Sequence, residues 1–104
     1  MKTFISSLLA SALLFAGAAS AATAPELLQK NACMACHSVD KKVLGPAFKE
    51  IAKKYKGNAE AVATLTKKVK EGGSGVWGPV PMPAHNGKVS DADIKTMVEH
   101  ILSN

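Results

Sequence analysis

Apolar residues recur at helical spacing in four stretches of the chain, separated by polar links or by links rich in glycine and proline. The first stretch follows Thr23-Ala24-Pro25-Glu26, which reads as a helix start. Thr23 caps, Glu26 stands three residues on as in a capping box, and Pro25 fits a first turn. Leu27 and Leu28 then face inward on a short helix running toward Cys33. The second stretch sets Phe48, Ile51, Ala52 and Tyr55 at i, i+3, i+4 and i+7, with Lys49, Glu50, Lys53 and Lys54 on the other face. Gly57 stops it, and Asn58 is placed to cap the third. The third carries Val62, Leu65 and Val69 inside, and Lys67, Lys68 and Lys70 in solvent, where lysines near a helix C-terminus suit its dipole. The last begins at Ser90-Asp91-Ala92-Asp93 and puts Ile94, Met97, Val98 and Ile101 on one stripe. No β alternation, internal repeat or second domain interrupts this pattern. The expected fold is all-α, with about four helices.

Three segments lie outside the helical pattern. Residues 38–45 are polar and read as a loop ended by Gly45-Pro46. Residues 72–89 hold Gly72, Gly73, Gly75, Gly78 and Gly87 together with Pro79, Pro81 and Pro83, and show no periodicity. A structureless loop of that length in a small domain is usually functional. At the start, Lys2 precedes an apolar run over residues 4–16, and Ala19-Ser20-Ala21 fits a small-residue cleavage site. The run falls short of the ~20 residues that a membrane span needs. Residues 1–22 therefore read as a signal peptide cleaved after Ala21 or Ala22, and 23–104 as the functional domain of an exported, periplasmic chain. No stable membrane insertion is expected. Removing 22 of the 104 residues leaves 82, and the helix start at Thr23 makes sense only after that cut.

The chemistry concentrates in Cys33-Met34-Ala35-Cys36-His37. Cys-x-x-Cys-His is the pattern for covalent attachment of a c-type haem. The two thiols add across the haem vinyl groups, and the imidazole of His37 reaches the iron from the proximal side. A bare Cys-x-x-Cys also serves redox thiols, zinc sites and disulfides. Here a His follows, and Cys33 and Cys36 are the only cysteines in the chain. A zinc site wants four ligands, and no second Cys or His pair stands at short spacing. A thioredoxin-like thiol oxidoreductase needs a βαβ context, and no strand precedes Cys33.

With His37 on one side of the iron, the other side has several candidate ligands: Met34, Met82, Met97, His85, His100 or a lysine. Met34 is committed to the attachment turn, and Met97 fits the apolar stripe of the last helix. His100 reads as a surface residue. Met82 stands apart in Pro81-Met82-Pro83, where the flanking rings bias the chain toward extended structure. Such a segment presents a thioether without competing helix hydrogen bonds. His85 is the second choice, and bis-imidazole ligation would lower the potential relative to imidazole and thioether.

The Cys-x-x-Cys-His site, Gly45-Pro46, Gly75-Val76-Trp77-Gly78-Pro79 and Pro81-Met82-Pro83 together resemble the small bacterial class I cytochromes c of the cytochrome c-551 type. The resemblance covers essentially all of residues 23–104. It implies the cytochrome c fold around one haem c held by Cys33 and Cys36, with His37 and Met82 as axial ligands. It further implies that the Pro46 carbonyl accepts the free N–H of His37, orienting the ring and tuning its basicity. Trp77 would lie by a haem propionate and donate its indole N–H there. Asn86 would hydrogen-bond near the Met82 sulfur, although residues 83–88 form a longer link than the Pro-Pro-Asn of the family.

Two strong axial ligands leave the iron no open position for oxygen or peroxide, and thioether ligation raises the potential. The sequence thus describes a one-electron carrier and not an enzyme, working between respiratory or denitrification redox proteins and expected to be a monomer. The haem edge is expected to be ringed by Val43, Pro46, Val76 and Val80. A ligand-binding haem sensor, in which Met82 dissociates, is the alternative within haem chemistry. The formal charge of the whole chain is +5, and removal of Lys2 with the signal peptide leaves +4, from 12 lysines and no arginine against 8 acidic residues. Such a balance fits a redox partner with an acidic docking face. Nucleic acid is not an expected partner, because the lysines are spread along helix faces and arginine is absent. So short a domain has difficulty filling its core with side chains alone, and no disulfide remains if both cysteines hold haem. A Cys33→Ala, Cys36→Ala variant is therefore expected to fold poorly, seen in circular dichroism as the lack of a cooperative melt.

Overall fold

A computed structural model describes residues 21–104; the signal-peptide reading of residues 1–22 falls almost wholly outside them. Helix α1 spans Ala24–Lys30, and Thr23 Oγ1 accepts from the Glu26 N–H at 3.4 Å, with Pro25 in the first turn. A 3₁₀ turn, Cys33–Ala35, follows. Ala32, which enters that turn, sits in the left-handed region at φ 58°, an unusual position for a residue with a Cβ. Helix α2 covers Phe48–Lys54, α3 Ala61–Glu71 and α4 Asp91–Leu102. Ser90 caps α4 by accepting from the Asp93 N–H at 3.2 Å. All four expected helices are present.

Helix α4 is the hub against which α1, α2 and α3 pack. Its stripe of Ile94, Met97 and Val98 is buried together with Leu27 and Leu28 of α1 and Phe48 and Ile51 of α2. Ile94 has no exposed surface, and fully burying a side chain of this kind contributes about 1.5–3 kcal/mol. Val62, Leu65 and Val69 of α3 pack against this core but stay partly exposed, so one side of α3 is left for another purpose.

Two local expectations change. Residues 72–89 are not structureless, and the fold is mostly helical with a small sheet. Strands β1 (Gly73–Gly75) and β2 (Gly78–Met82) form an antiparallel hairpin with Val76 and Trp77 at its tip. The pairs are Gly73 with Met82 and Gly75 with Gly78, with an irregularity between them. No alternation announces these strands, because glycines at positive φ and prolines without an N–H replace the usual β-branched residues. At Gly72, φ is 68° and an added Cβ would run into the Met82 carbonyl, so only glycine lets the end of α3 lie against β2. The other change concerns Asn58, which does not cap α3. Its Oδ1 accepts from the Glu60 N–H at 2.8 Å in a turn just before the helix, and Glu60 occupies the cap position with no side-chain bond.

Candidate haem-binding site

The open side of α3, the hairpin and the loop around His37 enclose one large, mainly apolar cavity of about 280 Å³. Cys33, Cys36, His37, Pro46, Trp77 and Met82 all line it. They come from segments up to 49 positions apart, and the fold brings them to one place. The described part of the chain puts no carboxylate in the cavity wall; the only charged side chain there is Lys68.

His37 is held from three directions. The distance from Nδ1 to the Pro46 carbonyl is 2.7 Å, and because a carbonyl only accepts, Nδ1 carries the proton. That tautomer leaves the lone pair on Nε2. The ring stacks on Phe48 with centroids 5.4 Å apart and an interplanar angle of 25°. Gly45 backs it so closely that an added Cβ would come within 2.6 Å of Cε1. The Gly45 N–H donates to the Cys36 carbonyl at 2.7 Å, which ties the loop to the Cys-x-x-Cys turn. The sequence placed Gly45 at the end of a loop and in the Gly45-Pro46 pair of the family resemblance; the ring behind it shows what an added side chain would strike.

The Cys33 and Cys36 thiols are free and partly buried. Burial pushes the Cys33 pKa above its ordinary value; neighbouring Cys36 adds to the rise, and a backbone hydrogen bond opposes it. Cys33 therefore stays a neutral thiol in an apolar wall at neutral pH. Met82 ends β2, half-buried, with its backbone held by the hairpin.

Among the other candidate ligands, Met34 and His100 lie outside the cavity, and Met97 lines it from its buried place in α4. Asn86 is exposed and does not line the cavity, so the donor expected beside the Met82 sulfur is not Asn86. His85, its neighbour, does line the cavity, with a buried Nδ1 that has no partner among the described residues. Trp77 lines the cavity from the hairpin tip, and the Lys54 Nζ of α2 stands 5.6 Å from its ring centroid, a cation–π contact with no sequence signal of its own. At the mouth, Leu44, Val76 and Val80 are 58, 52 and 55% exposed. Val43 is exposed nearby, and Leu44 joins the ring of apolar residues expected there.

Two thiols, an oriented imidazole nitrogen and a thioether converge on a space with almost no charge in its wall. This donor set suits a flat, apolar, iron-bearing macrocycle, and the residues present fit haem. The site and the helical frame define a small haem-carrying domain. A family model described as Cytochrome c matches residues 21–104. The chain is 50% identical over 104 residues to a cytochrome c-552 of Nitrosomonas europaea, covering 99% of this chain and 98% of that protein. It is 48% identical over 80 residues to a cytochrome c-551 of Pseudomonas aeruginosa, covering 76% of this chain and 75% of that one. The crystal structure of wild-type Nitrosomonas europaea cytochrome c552 superposes with a TM-score of 0.72 at 51% identity, over 76% of this chain and 96% of that chain. The chain belongs to the cytochrome c family: it carries one covalently attached haem c and transfers electrons with redox partners.

Gly45→Ala is expected to displace the His37 ring or its loop. Overpacking of this kind costs about 1–3 kcal/mol. A lowered midpoint in denaturant unfolding of the holoprotein, together with a perturbed imidazole signal in NMR, checks it.

Proposed function

We propose that residues 23–104, released from a signal peptide, form a monomeric one-electron carrier of the periplasm in which His37 and Met82 are the axial ligands of the iron. Cys33 and Cys36 form the two thioether links. The observation that carries this reading is the His37 tautomer: with Nδ1 bound to the Pro46 carbonyl, Nε2 is left as the ligating nitrogen in a cavity that Met82 also lines. Bound haem supplies an iron that alternates between the ferrous and ferric states. The chain's contribution is to keep one ligand set in both states. Pro46, Phe48 and Gly45 hold the imidazole, and the hairpin holds Met82, so little rearrangement accompanies each electron. A thioether ligand and an apolar wall favour the ferrous form and raise the potential. Trp77 stands at the edge of the cavity, where an indole N–H serves a haem propionate. With both axial positions filled, the chain acts as a carrier and not as an enzyme.

The partner surface is the cavity mouth. Leu44, Val76 and Val80 offer a small apolar contact, and Lys54 and Lys68 flank the cavity with no carboxylate in its wall. An acidic face on a respiratory or denitrification redox protein complements this arrangement. Charge of this kind acts mainly on the rate of encounter and is screened by salt.

Met82→Ala should abolish the sulfur–iron charge-transfer band and lower the reduction potential, measured by absorption spectroscopy and potentiometric titration. A band that survives unchanged would remove Met82 from the iron. The rate constant for electron transfer to an acidic redox partner should fall as ionic strength rises, measured by stopped flow. A rate insensitive to salt would overturn the electrostatic part of the docking reading.

A further inference from the structure

Among the groups of the cavity wall that neither the attachment of haem nor the two axial ligands employ, His85 is the one with a buried, unpartnered side-chain nitrogen. Its Nδ1 is buried and has no hydrogen-bond partner among the described residues. A buried imidazole nitrogen is costly to leave without a hydrogen-bond or ligand partner. Thr66 Oγ1 is the other buried atom in this condition, and it does not line the cavity. The main chain of His85 is anchored on both sides. Its N–H donates to the Val69 carbonyl of α3 at 3.0 Å, and its carbonyl accepts from the N–H groups of Lys88 and Val89 at 3.0 and 3.2 Å. The residue is thus a fixed part of the wall and not the tip of a loose loop.

Only Pro83 and Ala84 separate His85 from Met82, so a thioether and an imidazole reach one cavity from a single short stretch of chain. Neutral imidazole offers one lone pair and is a common iron ligand. We propose, building on the His37/Met82 reading, that His85 is a reserve axial ligand. When the Met82 thioether is absent from the iron, the His85 imidazole takes the vacated position. The pair then becomes imidazole–imidazole, and the site does not open. The exchange moves no electrons and breaks no covalent bond; one lone-pair donor replaces another. Its consequence is a carrier that falls to a lower potential when it loses its thioether, while the iron stays closed to small exogenous ligands.

The test compares holoprotein of Met82→Ala with that of Met82→Ala/His85→Gln. Met82→Val serves in place of Met82→Ala if the alanine variant does not accumulate as folded holoprotein. In the ferric state the single variant should be six-coordinate and low-spin by electron paramagnetic resonance, with the sulfur band gone. The double variant should be high-spin. An internal ligand lowers the apparent affinity of an added one by the fraction of sites left open, so added imidazole should bind the double variant about tenfold more tightly or better. A single variant that is already high-spin, with equal imidazole affinity in both proteins, overturns the proposal and leaves the Met82 assignment standing. A single variant that keeps the sulfur band overturns the His37/Met82 reading itself.

Discussion

The arrangement depends on the hydrogen bond from the His37 Nδ1–H to the Pro46 carbonyl. In the ligation proposed for His37, the iron needs one tautomer and one ring orientation. This bond selects both, because its acceptor has no proton to give. The surrounding chain is built to keep the two residues in register. Gly45 gives up a side chain so that the ring can lie against its backbone, Phe48 stacks on the ring's face, and the Gly45 N–H ties the loop back to Cys36. A nine-residue separation is thereby closed into a rigid bracket around one nitrogen lone pair.

The rest of the fold divides its labour around that bracket. Helix α4 gathers α1, α2 and α3 on one side, burying Ile94, Met97 and Val98. The glycine-rich hairpin brings Met82 to the opposite end of the sequence order but to the same cavity. Gly72 lets α3 and β2 come together more closely than any residue with a Cβ would allow. Leu65 and Val69 stay partly exposed because they line the cavity, whereas Val62 lies outside its wall. Haem in that cavity would supply their apolar partner and complete the core. A domain this small thus joins stability to cofactor binding, since the surface that would otherwise destabilise it is the surface that haem covers.

The charge pattern follows the same economy. Lysines occupy the solvent faces of the helices, and the cavity wall carries Lys68 alone among charged side chains. Two further lysines have structural roles: Lys70 of α3 bonds the Asp91 carboxylate of α4 at 3.2 Å, and Lys54 rests over Trp77 at the hairpin tip. A cation at that point steadies the tip through the ring's π face and leaves a positive edge beside the mouth.

Helix positions were legible from the sequence because capping and periodicity are local properties. Thr23 and Ser90 cap where they were read to cap, and Ile94, Met97 and Val98 are buried as their spacing requires. The Cys33–His37 signature was equally plain, since its chemistry needs neighbours in the chain and nothing else. The hairpin was not legible, because strands made of glycine and proline carry no alternation. Asn58 was misread because its side chain served the turn before the helix. Nor did the sequence distinguish Asn86 from His85, two adjacent polar residues in a link of unusual length; both main chains are anchored on α3, and only the tertiary structure shows that His85 lines the wall while Asn86 is exposed. The sequence by itself determined the helices and the class of cofactor, through capping, periodicity and a motif that all lie within a turn or two of chain. Tertiary structure alone decided which distant residues share the cavity and which nitrogen of His37 is free, because those depend on carbonyls and glycines whose partners lie elsewhere in the fold.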